Sequence, residues 1–308
     1  MRVRAILNPR AGLTPRVALE VLRAGHARWE DLDLCLTERP GHARDLASEA
    51  SARGDDLVLA VGGDGTVNEV ASGLIGSPTP LGIVPAGSGN GLARTLRIPL
   101  APAAAVRALA GGVVRPMDVG LANGEPFLNV AGAGLDAAVG ADFHAHGRRG
   151  GRRGIGAYVL LSLRRALAYT AQRWRLEAGG EVWGGPALIV AFLNGRQYGG
   201  GATVARRAKV DDGILDIVVF EDAPLSETLL NAPRLFFGNI DGYRRYRHVV
   251  AASAVLTAAG PFEHHRDGEP EAASERLEIG LAARALRVLV PRPTAEDREG
   301  PFSVDRSD

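Results

Sequence analysis

Cysteine and lysine are almost absent from this chain of 308 residues, which has one residue of each type, Cys35 and Lys209. A single cysteine excludes an internal disulfide and a cysteine-based zinc site, and it fits a reducing cytosol. The phosphate loop of P-loop proteins needs a lysine after a Gly-x-x-x-x-Gly pattern. Because Lys209 follows no such pattern, that class of nucleotide site is excluded.

Long hydrophobic runs are also missing. The best candidate, Tyr158–Leu163, stops at Arg164, well short of the roughly 18 apolar residues that a spanning helix needs. The apolar part of Met1–Leu7 is too short for a signal peptide and is predicted to be the first strand. Since 46% of the residues are hydrophobic, we expect a globular, cytoplasmic protein with a substantial core.

The chain has little of what nucleic-acid binding requires. Its net charge is only +1 and its aromatic content only 5%. Arginines do cluster in one glycine-rich loop, at Arg148, Arg149, Arg152 and Arg153, but aromatic residues do not alternate with them. Base stacking and an extended basic surface are the usual marks of such binding, so we expect no nucleic-acid partner.

The first 120 residues alternate between strand and helix patterns, judged by short apolar runs and by apolar spacings near 3.6 residues. The predicted strands are Val3–Leu7, Leu32–Leu36, Leu57–Val61, Leu81–Val84 and Val113–Val119. The predicted helices are Pro15–Trp29, His42–Ala52, Val67–Ile75, Gly91–Leu96 and Ala101–Ala110. This alternation predicts an α/β domain over residues 1–120, with a parallel sheet and with ligands at the carboxyl ends of the strands.

After Gly120 the pattern becomes mainly strand. The predicted strands are Phe127–Val130, Arg173–Ala178, Ala187–Leu193, Ile214–Phe220, His248–Leu256, Glu263–Arg266, Arg276–Ile279 and Leu286–Val290, and the helices are Asp136–Phe143, Ile155–Tyr169 and Leu225–Leu230. Short strands between glycine-rich turns predict a mainly antiparallel, β-sandwich-like domain over residues 121–292. The polar tail, residues 293–308, is expected to be loosely ordered.

One glycine-rich segment, Gly62-Gly63-Asp64-Gly65-Thr66-Val67-Asn68-Glu69, directly follows an apolar strand. Glycine allows close backbone approach, and a helix start offers unpaired N–H groups to phosphate. A carboxylate inside such a loop repels phosphate unless a divalent cation lies between them, so Asp64 predicts a nucleotide with Mg²⁺. The alternative is a tight turn in which Thr66 and Glu69 form a capping box.

The same segment resembles the signature of the diacylglycerol kinase catalytic-domain family, which includes bacterial lipid kinases, sphingosine kinases and ceramide kinases. NAD kinases and phosphofructokinases share only its Gly-Gly-Asp-Gly core. Further segments that resemble the lipid-kinase branch occur in the right order: 8–12, 37–43, 85–90, 117–120, 211–216 and 267–269. The resemblance covers nearly the whole chain. It implies a first domain with the parallel sheet of NAD kinases and phosphofructokinases, followed by a β-rich lipid-substrate domain.

An ATP site at the strand ends is implied by this resemblance. The residues that would line it are Asn8, Gly12, Thr37, Gly62, Gly63, Gly65, Thr66, Asn68, Gly87, Ser88, Gly89 and Asn90. Residues 87–90 precede a helical pattern and would form a second anion-binding helix start. Leu92 stands where a dinucleotide fingerprint would place its third glycine, which disfavours a Rossmann site. Taken alone, Asn8-Pro9 would be an ordinary strand-ending turn.

The candidate base is Asp267, within Asp267-Gly268-Glu269. Taken alone, Asp-Gly between apolar runs predicts a hairpin turn. In the lipid kinases, however, the aspartate of this motif acts as general base on the acceptor hydroxyl, and the glutamate lies near the nucleotide or metal. The resemblance therefore implies a catalytic set of Asp267, Asp64 and Glu269, with the active site in a cleft between the two domains.

Two metal sites are implied. Asp118 matches a family aspartate that joins Asp64 in a network of water and Mg²⁺, although spacing alone fits a strand-end polar residue equally well. Many bacterial diacylglycerol kinases carry a carboxylate where this chain has Gly91, which leaves the lipid acceptor open. A second, structural Mg²⁺ would be held by Asp211, Asp212 and Asp216, since hard cations suit clustered carboxylates; a solvated turn is the alternative.

The leading interpretation is an ATP- and Mg²⁺-dependent lipid kinase that phosphorylates diacylglycerol or a sphingoid-type lipid. The alternatives are a soluble kinase similar to NAD kinase and a non-catalytic nucleotide or lipid sensor. A lipid acceptor implies peripheral contact with a membrane surface, for which the arginines at 148–153 are candidates. They could instead reach the ATP phosphates, or they could simply form a solvated loop. A homodimer remains open.

Overall fold

The computed structural model describes residues 1–9, 15–148, 155–199 and 201–303, with the side chains of 15–17, 147–148, 155–160 and 199 left undescribed. Gly12 and the arginines at 149, 152 and 153 lie outside the described residues, as does the side chain of Arg148. The chain forms two units. The first comprises Met1–Val119, Lys209–Asp212 and the chain from Ala283, and the second comprises Gly120–Ala208 and Gly213–Ala282.

The first unit begins with alternating strands and helices, as predicted. Its elements are β1 (Arg2–Leu7), α1 (Pro15–His26), β2 (Asp31–Leu36), α2 (His42–Ala52), β3 (Leu57–Gly62), α3 (Asp64–Leu74), β4 (Leu81–Pro85), α4 (Gly91–Thr95), α5 (Pro102–Ala110) and β5 (Val113–Ala122). The continuous apolar run of β3 is buried along its whole length, which is typical of a central parallel strand.

The sheet of the first unit is parallel, with strand order β2-β1-β3-β4. In its register Leu7 lies beside Leu36 and Gly62 beside Pro85. The four strands therefore end at the same edge, which brings together the loops that follow them. The helices pack in pairs, α1 against α5 and α2 against α3.

The second unit is built mainly from antiparallel strands. The remaining elements of the chain are β6 (Glu125–Phe127), β7 (Val130–Gly134), α6 (Leu135–Arg148), α7 (Ile155–Ala168), β8 (Gln172–Ala178), β9 (Glu181–Leu193), β10 (Gln197–Gly199), β11 (Ala202–Thr203), β12 (Leu215–Glu221), α8 (Leu225–Asn231), α9 (Arg234–Phe237), a 3₁₀ turn (Ile240–Gly242), β13 (Tyr246–Ala251), β14 (Ala254–Phe262), β15 (His264–Arg266), β16 (Glu269–Pro270), β17 (Ser274–Val290) and α10 (Arg292–Glu296).

Antiparallel pairing joins these strands in the order β16-β15-β7-β9-β8-β14-β17, while β12 pairs with both β9 and β13. Two clusters of buried apolar side chains fill the unit, one around Phe192 and Leu256 and a smaller one around Leu193 and Val204. The predicted fold class, an α/β domain followed by an antiparallel sandwich-like domain, is confirmed.

Three predicted strand boundaries are wrong, for physical reasons. The run 127–130 is broken because the amides of Leu128 and Asn129 donate to a side chain instead of a ladder. The run 248–256 is two strands, since β13 pairs with β12 and β14 pairs with β8 and β17. The runs 276–279 and 286–290 are one strand, β17, which continues through Arg284 at a positive φ of 51°.

The tail was predicted to be loosely ordered, and this is wrong for residues 293–303. Phe302 is only 2% exposed, and the Arg115 guanidinium lies 5.3 Å from its ring centre. The Lys209 ammonium donates to the carbonyls of Gly300 and Phe302 at 2.6 and 3.0 Å. Partners between about 90 and 190 residues away in sequence order the tail, so its own polar composition does not predict this order.

Candidate active site

The predicted phosphate loop is a direct junction between a buried strand and a helix. β3 ends at Gly62, Gly63 is the cap residue, and α3 begins at Asp64 instead of Val67. The first turn of a helix has amide groups without an intrahelical partner and the positive end of the dipole. The predicted capping box does not form, because Gly63 caps the helix and Glu69 accepts from the Ala43 amide.

A second loop, residues 86–90, lies against this junction. A Cβ on Gly87 would lie 2.6 Å from the Gly63 Cα, so only glycine fits at this approach. Asn90 closes the loop from a positive φ of 53°, accepting from the Gly87 amide at 3.1 Å and donating to the Gly87 carbonyl at 2.8 Å. Ser88 is exposed.

Asp64 bridges the two loops. Its Oδ2 accepts from the Asn90 amide at 2.8 Å, and its Oδ1 accepts from the Gly91 amide at 2.7 Å. The start of α4 was predicted to be a second anion site, but these two amides already serve the Asp64 carboxylate. Asp64 therefore has a structural task, positioning residues 87–91, that the sequence pattern did not reveal.

Other predicted nucleotide residues lie at the same sheet edge. Asn8 follows β1 and its amide group donates to the Thr66 hydroxyl at 3.1 Å. Thr37 follows β2 and its amide donates to the Leu7 carbonyl at 2.8 Å. Gly65 and Asn68 are in α3. The structure thus brings the predicted residues of β1, β2, β3 and β4 to one edge of the first unit.

Asp118 is fully buried in β5 and is held by the backbone. Its Oδ1 accepts from the Arg284 amide at 2.6 Å, at the point where β17 adopts its positive φ. The buried carboxylate of Asp118 therefore stabilises a backbone conformation at Arg284 that non-glycine residues rarely adopt.

The three carboxylates predicted to hold a structural Mg²⁺ have different surroundings. Asp211 is buried and accepts from Arg115 at 3.4 Å and from the Ser303 amide at 2.6 Å. Asp216 lies 2.6 Å from His248 Nε2, and Asp212 is exposed. Among the described residues there is no group of three or more His, Cys, Asp or Glu side chains arranged to hold a metal ion.

An active-site Mg²⁺ can be tested against the same donors. Kinases hold Mg²⁺ with one or two carboxylates plus phosphate oxygens of the substrate. Each carboxylate oxygen can accept more than one bond, so the two amides on Asp64 do not preclude contact with a metal-bound water. The residues fit a metal shared with nucleotide phosphates, and the described part of the chain offers no cage that would hold the ion alone.

The predicted base, Asp267, lies in the second unit, where Asp267 and Gly268 are the two central residues of the β15–β16 hairpin. Their φ values of 48° and 87° and the pairing of Arg266 with Glu269 make this the two-residue turn that Asp-Gly favours. The turn interpretation of this dipeptide is therefore correct as structure.

A hairpin alone does not explain the surroundings of the Asp267 carboxylate. It accepts three backbone N–H bonds from the residues that lead into β7: from Leu128 at 2.7 Å, and from Asn129 and Val130 at 2.9 Å each. Three amide donors hold a charged carboxylate in a single orientation. Glu269 is half-exposed, with its carboxylate 3.3 Å from His144 Nδ1.

Behind this hairpin lies a buried polar cluster that the sequence did not predict. His265 Nε2 lies 2.9 Å from Asp136 Oδ2 and 2.9 Å from the Tyr198 hydroxyl, which also donates to Asp136. Burial, assisted by the charge of Asp136, raises the pKa of nearby Tyr169 to about 12. The cluster's three members are far apart in sequence; the one available signal was a histidine two residues before Asp267.

Comparison with known proteins identifies two family models along the chain. Residues 2–122 match the diacylglycerol kinase catalytic domain, and residues 129–290 match the YegS C-terminal NAD kinase beta sandwich-like domain. "Probable lipid kinase YegS-like" of Pseudomonas aeruginosa (strain UCBPP-PA14) is 34% identical, with 88% of each chain covered. "Diacylglycerol kinase" of Bacillus subtilis (strain 168) is 27% identical over 96% of this chain and 98% of that protein.

Solved structures agree on the fold. A crystal structure of a diacylglycerol kinase from Bacillus anthracis str. Sterne covers 94% of this chain and 96% of its own, with a TM-score of 0.71 at 24% identity. Another structure from the same organism reaches a TM-score of 0.77 at 27% identity, with 94% and 96% covered. Within the described residues, no helix has the length and apolar character needed to cross a membrane.

Proposed function

This chain belongs to the diacylglycerol kinase family of lipid kinases, with ATP as phosphate donor, and from that premise we propose its reaction: Mg²⁺-dependent transfer of the ATP γ-phosphate to the free hydroxyl of diacylglycerol or a sphingoid-type lipid. The observation that carries the proposal is the junction at Gly62–Thr66, where β3 ends at Gly62 and α3 begins at Asp64. Phosphoryl transfer is mainly a matter of positioning and charge stabilisation.

The first unit would bind the nucleotide. The amides at the start of α3 face the phosphates, and the Asn8–Thr66 hydrogen bond orders the strand ends beside them. Asp64 fixes residues 87–91 through the Asn90 and Gly91 amides, so one side chain couples both glycine loops. Gly62, Gly63, Gly65, Asn68 and Thr37 complete this binding surface.

Asp64 is also the residue that would meet the metal, through water, and Asp118, whose Oδ1 accepts from the Arg284 amide, would join it in that network. Mg²⁺, when bound with ATP, would neutralise the phosphate oxygens. A second, structural magnesium site is proposed at Asp211, Asp212 and Asp216. Asp211 and Asp216 now have different hydrogen-bond partners, so the site would have to form when Mg²⁺ binds.

The second unit would supply the base. As the acceptor oxygen forms its bond to the γ-phosphorus, Asp267 takes the hydroxyl proton and the bond from phosphorus to the β,γ-bridging oxygen breaks, releasing ADP. The three amides on Asp267 hold the carboxylate in one orientation. Glu269, exposed at the same hairpin, would lie near the nucleotide or metal.

Diacylglycerol is the first acceptor to test, because one relative covering nearly the whole chain bears the name diacylglycerol kinase. Gly91, which replaces a carboxylate common in bacterial diacylglycerol kinases, supports a sphingoid-type lipid as the second. Either acceptor requires peripheral contact with a membrane, and this contact is part of the proposal.

Radiolabel transfer from γ-labelled ATP to a panel of diacylglycerol, a sphingoid base, NAD and water-soluble sugars tests the function. Label in a lipid, dependent on Mg²⁺ and lost in Asp267→Asn, is the expected result. Asp31→Asn, a change of an exposed aspartate at the start of β2, is the matched control and should retain activity. Label in NAD with none in any lipid would show that the proposed acceptor is wrong.

A further inference from the structure

An exposed helical segment of the second unit carries apolar side chains on its outer face. α8 and α9 are joined by Ala232 and Pro233, both in the right-handed helical region, so residues 225–237 follow one nearly continuous helical path. The exposed residues between 226 and 237 are Ser226, Leu229, Leu230, Pro233, Phe236 and Phe237. At about 100° per residue they share one face of this path.

The four large side chains of this face are strongly exposed: Leu229 49%, Leu230 80%, Phe236 64% and Phe237 80%. None of the exposed residues in this described segment is charged. Surface helices normally turn a polar face to water and an apolar stripe to the core. Here Leu235 packs against the core cluster around Val204, while two phenylalanines face outward. We name Leu229, Leu230, Pro233, Phe236 and Phe237 the apolar stripe.

We propose that the apolar stripe is a membrane-docking surface that inserts into the outer part of a lipid bilayer. The proposal rests on the proposed function in one respect, that the acceptor is a bilayer lipid. An interfacial helix docks by burying its apolar face at the boundary between headgroups and acyl chains, and phenylalanine and leucine are suited to that depth.

The stripe is large enough for shallow insertion into a bilayer. Its four large side chains expose on the order of 500 Å² of apolar surface, and a second copy of the chain, which would bury about 800 Å² of polar and apolar surface on each partner, is the competing occupant that the test below separates. Shallow insertion needs no more than the helix face itself.

The charges around the stripe largely offset one another. The side chains of Arg244 and Arg247 are 73% and 58% exposed, while their carboxylate partners Glu227 and Glu221 are only 19% and 25% exposed. The guanidinium groups therefore face outward. Exposed Asp222 and Asp241 offset them, so the attraction is mainly apolar and should depend little on salt or on lipid charge.

The test is co-sedimentation with neutral phosphatidylcholine vesicles, without ATP, at low salt and at about 0.5 M salt, where exposed charges are screened. The native chain should bind in both conditions. Phe236→Ser/Phe237→Ser should weaken binding roughly 10- to 100-fold, as expected for two aromatic side chains kept in water. Val182→Ser/Val250→Ser, which removes exposed apolar residues from strands of the same unit, is the control and should bind as the native chain does.

Three results would overturn the proposal: no binding of the native chain to neutral vesicles, binding lost at high salt, or binding unaffected by the phenylalanine changes. If the native chain is a dimer that the phenylalanine changes dissociate while vesicle binding stays the same, the stripe is a contact between copies. Turnover of a water-soluble short-chain acceptor distinguishes failure of the docking proposal from failure of the proposed function. The double variant Phe236→Ser/Phe237→Ser should retain this turnover. If the proposed function is wrong, the native chain will lack the turnover as well.

A different observation supports a second inference, concerning the hairpin that carries Asp267. The Gly268 amide donates to His265 Nδ1 at 3.3 Å. A ring nitrogen that accepts cannot carry a proton, so neutral His265 has its proton on Nε2, towards Asp136. A Cβ on Gly132 would lie 2.2 Å from Asp136 Oδ2 and 2.8 Å from His265 Nε2, so glycine is required to leave room for the cluster.

The geometry points to His265 as a positioning residue for the Asp267 hairpin, oriented by Asp136 and Tyr198. Asp267 adopts a positive φ, which is uncommon outside glycine although aspartate tolerates it in turns, and the bond from Gly268 to His265 helps to hold that conformation. Asp136 Oδ1 is buried with no hydrogen-bond partner in the described part of the chain. A buried polar atom of this kind is uncommon in native structures and needs an explanation beyond packing.

Two substitutions separate positioning from simple structural support. His265→Asn places an oxygen where Nδ1 lay and keeps the acceptor for Gly268, whereas His265→Gln places its amide near Nε2 and keeps the contact with Asp136. We expect His265→Asn to retain kcat within about threefold and His265→Gln to lose roughly 10- to 100-fold, with the KM for ATP unchanged in both. Equal kcat losses that follow the losses in thermal stability would overturn the assignment.

Discussion

The two halves of the proposed site are built in different ways. In the first unit, the proposed nucleotide residues lie in the loops that follow β1, β2, β3 and β4 or in the first turns of α3, where short motifs mark them. In the second unit, Asp267 is oriented by amides about 138 residues earlier in the chain, and His265 meets Asp136 across 129 residues. Local patterns therefore mark residues at parallel strand ends, whereas the distant partners that orient a residue across antiparallel strands have no such pattern.

The largest expected effect concerns the second unit. Asp267→Asn preserves the turn, since asparagine also tolerates positive φ, but it removes the charged proton acceptor. We expect kcat to fall roughly 100- to 10,000-fold with ATP affinity little changed. Steady-state kinetics at saturating lipid would measure this, and a variant with most of its activity would reduce Asp267 to a turn residue.

A second effect tests whether the first unit depends only on local sequence. Phe302→Ala should lower the free energy of unfolding by about 3–5 kcal/mol, because a buried aromatic ring and its contact with Arg115 are lost. Denaturant unfolding would measure it. Phe237→Ala, at an exposed ring, is the control and should cost little. Equal, small effects would show that the tail is not part of the folded unit.

Asp64 should show a smaller effect, mixed between binding and folding. Asp64→Ala leaves the Asn90 and Gly91 amides without their acceptor, at about 1–3 kcal/mol of stability. It should also raise the KM for ATP roughly 10- to 100-fold and weaken the dependence on Mg²⁺. Titrating activity against Mg²⁺ and recording thermal unfolding would separate the two contributions. A stability loss with unchanged KM and metal dependence would leave Asp64 a purely structural bridge.

The smallest effect is a pH dependence confined to the second unit. The hydrogen bond from Arg244, followed by that from Arg245, lowers the pKa of Glu227 to about 2. A carboxyl whose folded pKa is depressed stabilises the fold above its unfolded pKa, about 4.3, and this stabilisation is lost as the pH falls from there towards 2. The protection factors of the α8 amides, which are corrected for the intrinsic pH dependence of exchange, should fall across that range in the native chain. Glu227→Gln should abolish this pH dependence. A variant whose pH profile is the same as that of the native chain would contradict the prediction.

Much of the fold followed from the sequence because its signals are local. α2 was predicted at its observed bounds, and the buried run of β3 was predicted to be a sheet-centre strand. The wrong strand boundaries share a cause, because each depends on a partner that is distant in sequence. Leu128 and Asn129 leave the ladder for Asp267, and β17 passes through Arg284 because Asp118 accepts its amide.

For the candidate site, the motifs located Asp64 and Asp267 but not what holds them. The bridge from Asp64 to the Asn90 and Gly91 amides depends on the distance between two loops, which sequence spacing does not give. The cluster of Asp136, Tyr198 and His265 depends on antiparallel register, since β15 pairs with β7. Neither arrangement has a local sequence pattern of its own.

The most direct test of the central claim measures binding and chemistry separately in Asp64→Ala and Asp267→Asn. Equilibrium binding of Mg²⁺-ATP and single-turnover transfer of labelled phosphate to diacylglycerol would be recorded for both variants and the native chain. The account predicts a crossed result: Asp64→Ala binds nucleotide weakly, whereas Asp267→Asn binds it as the native chain does yet forms almost no phospholipid. Native-like transfer by Asp267→Asn, or native-like nucleotide binding by Asp64→Ala, would contradict it.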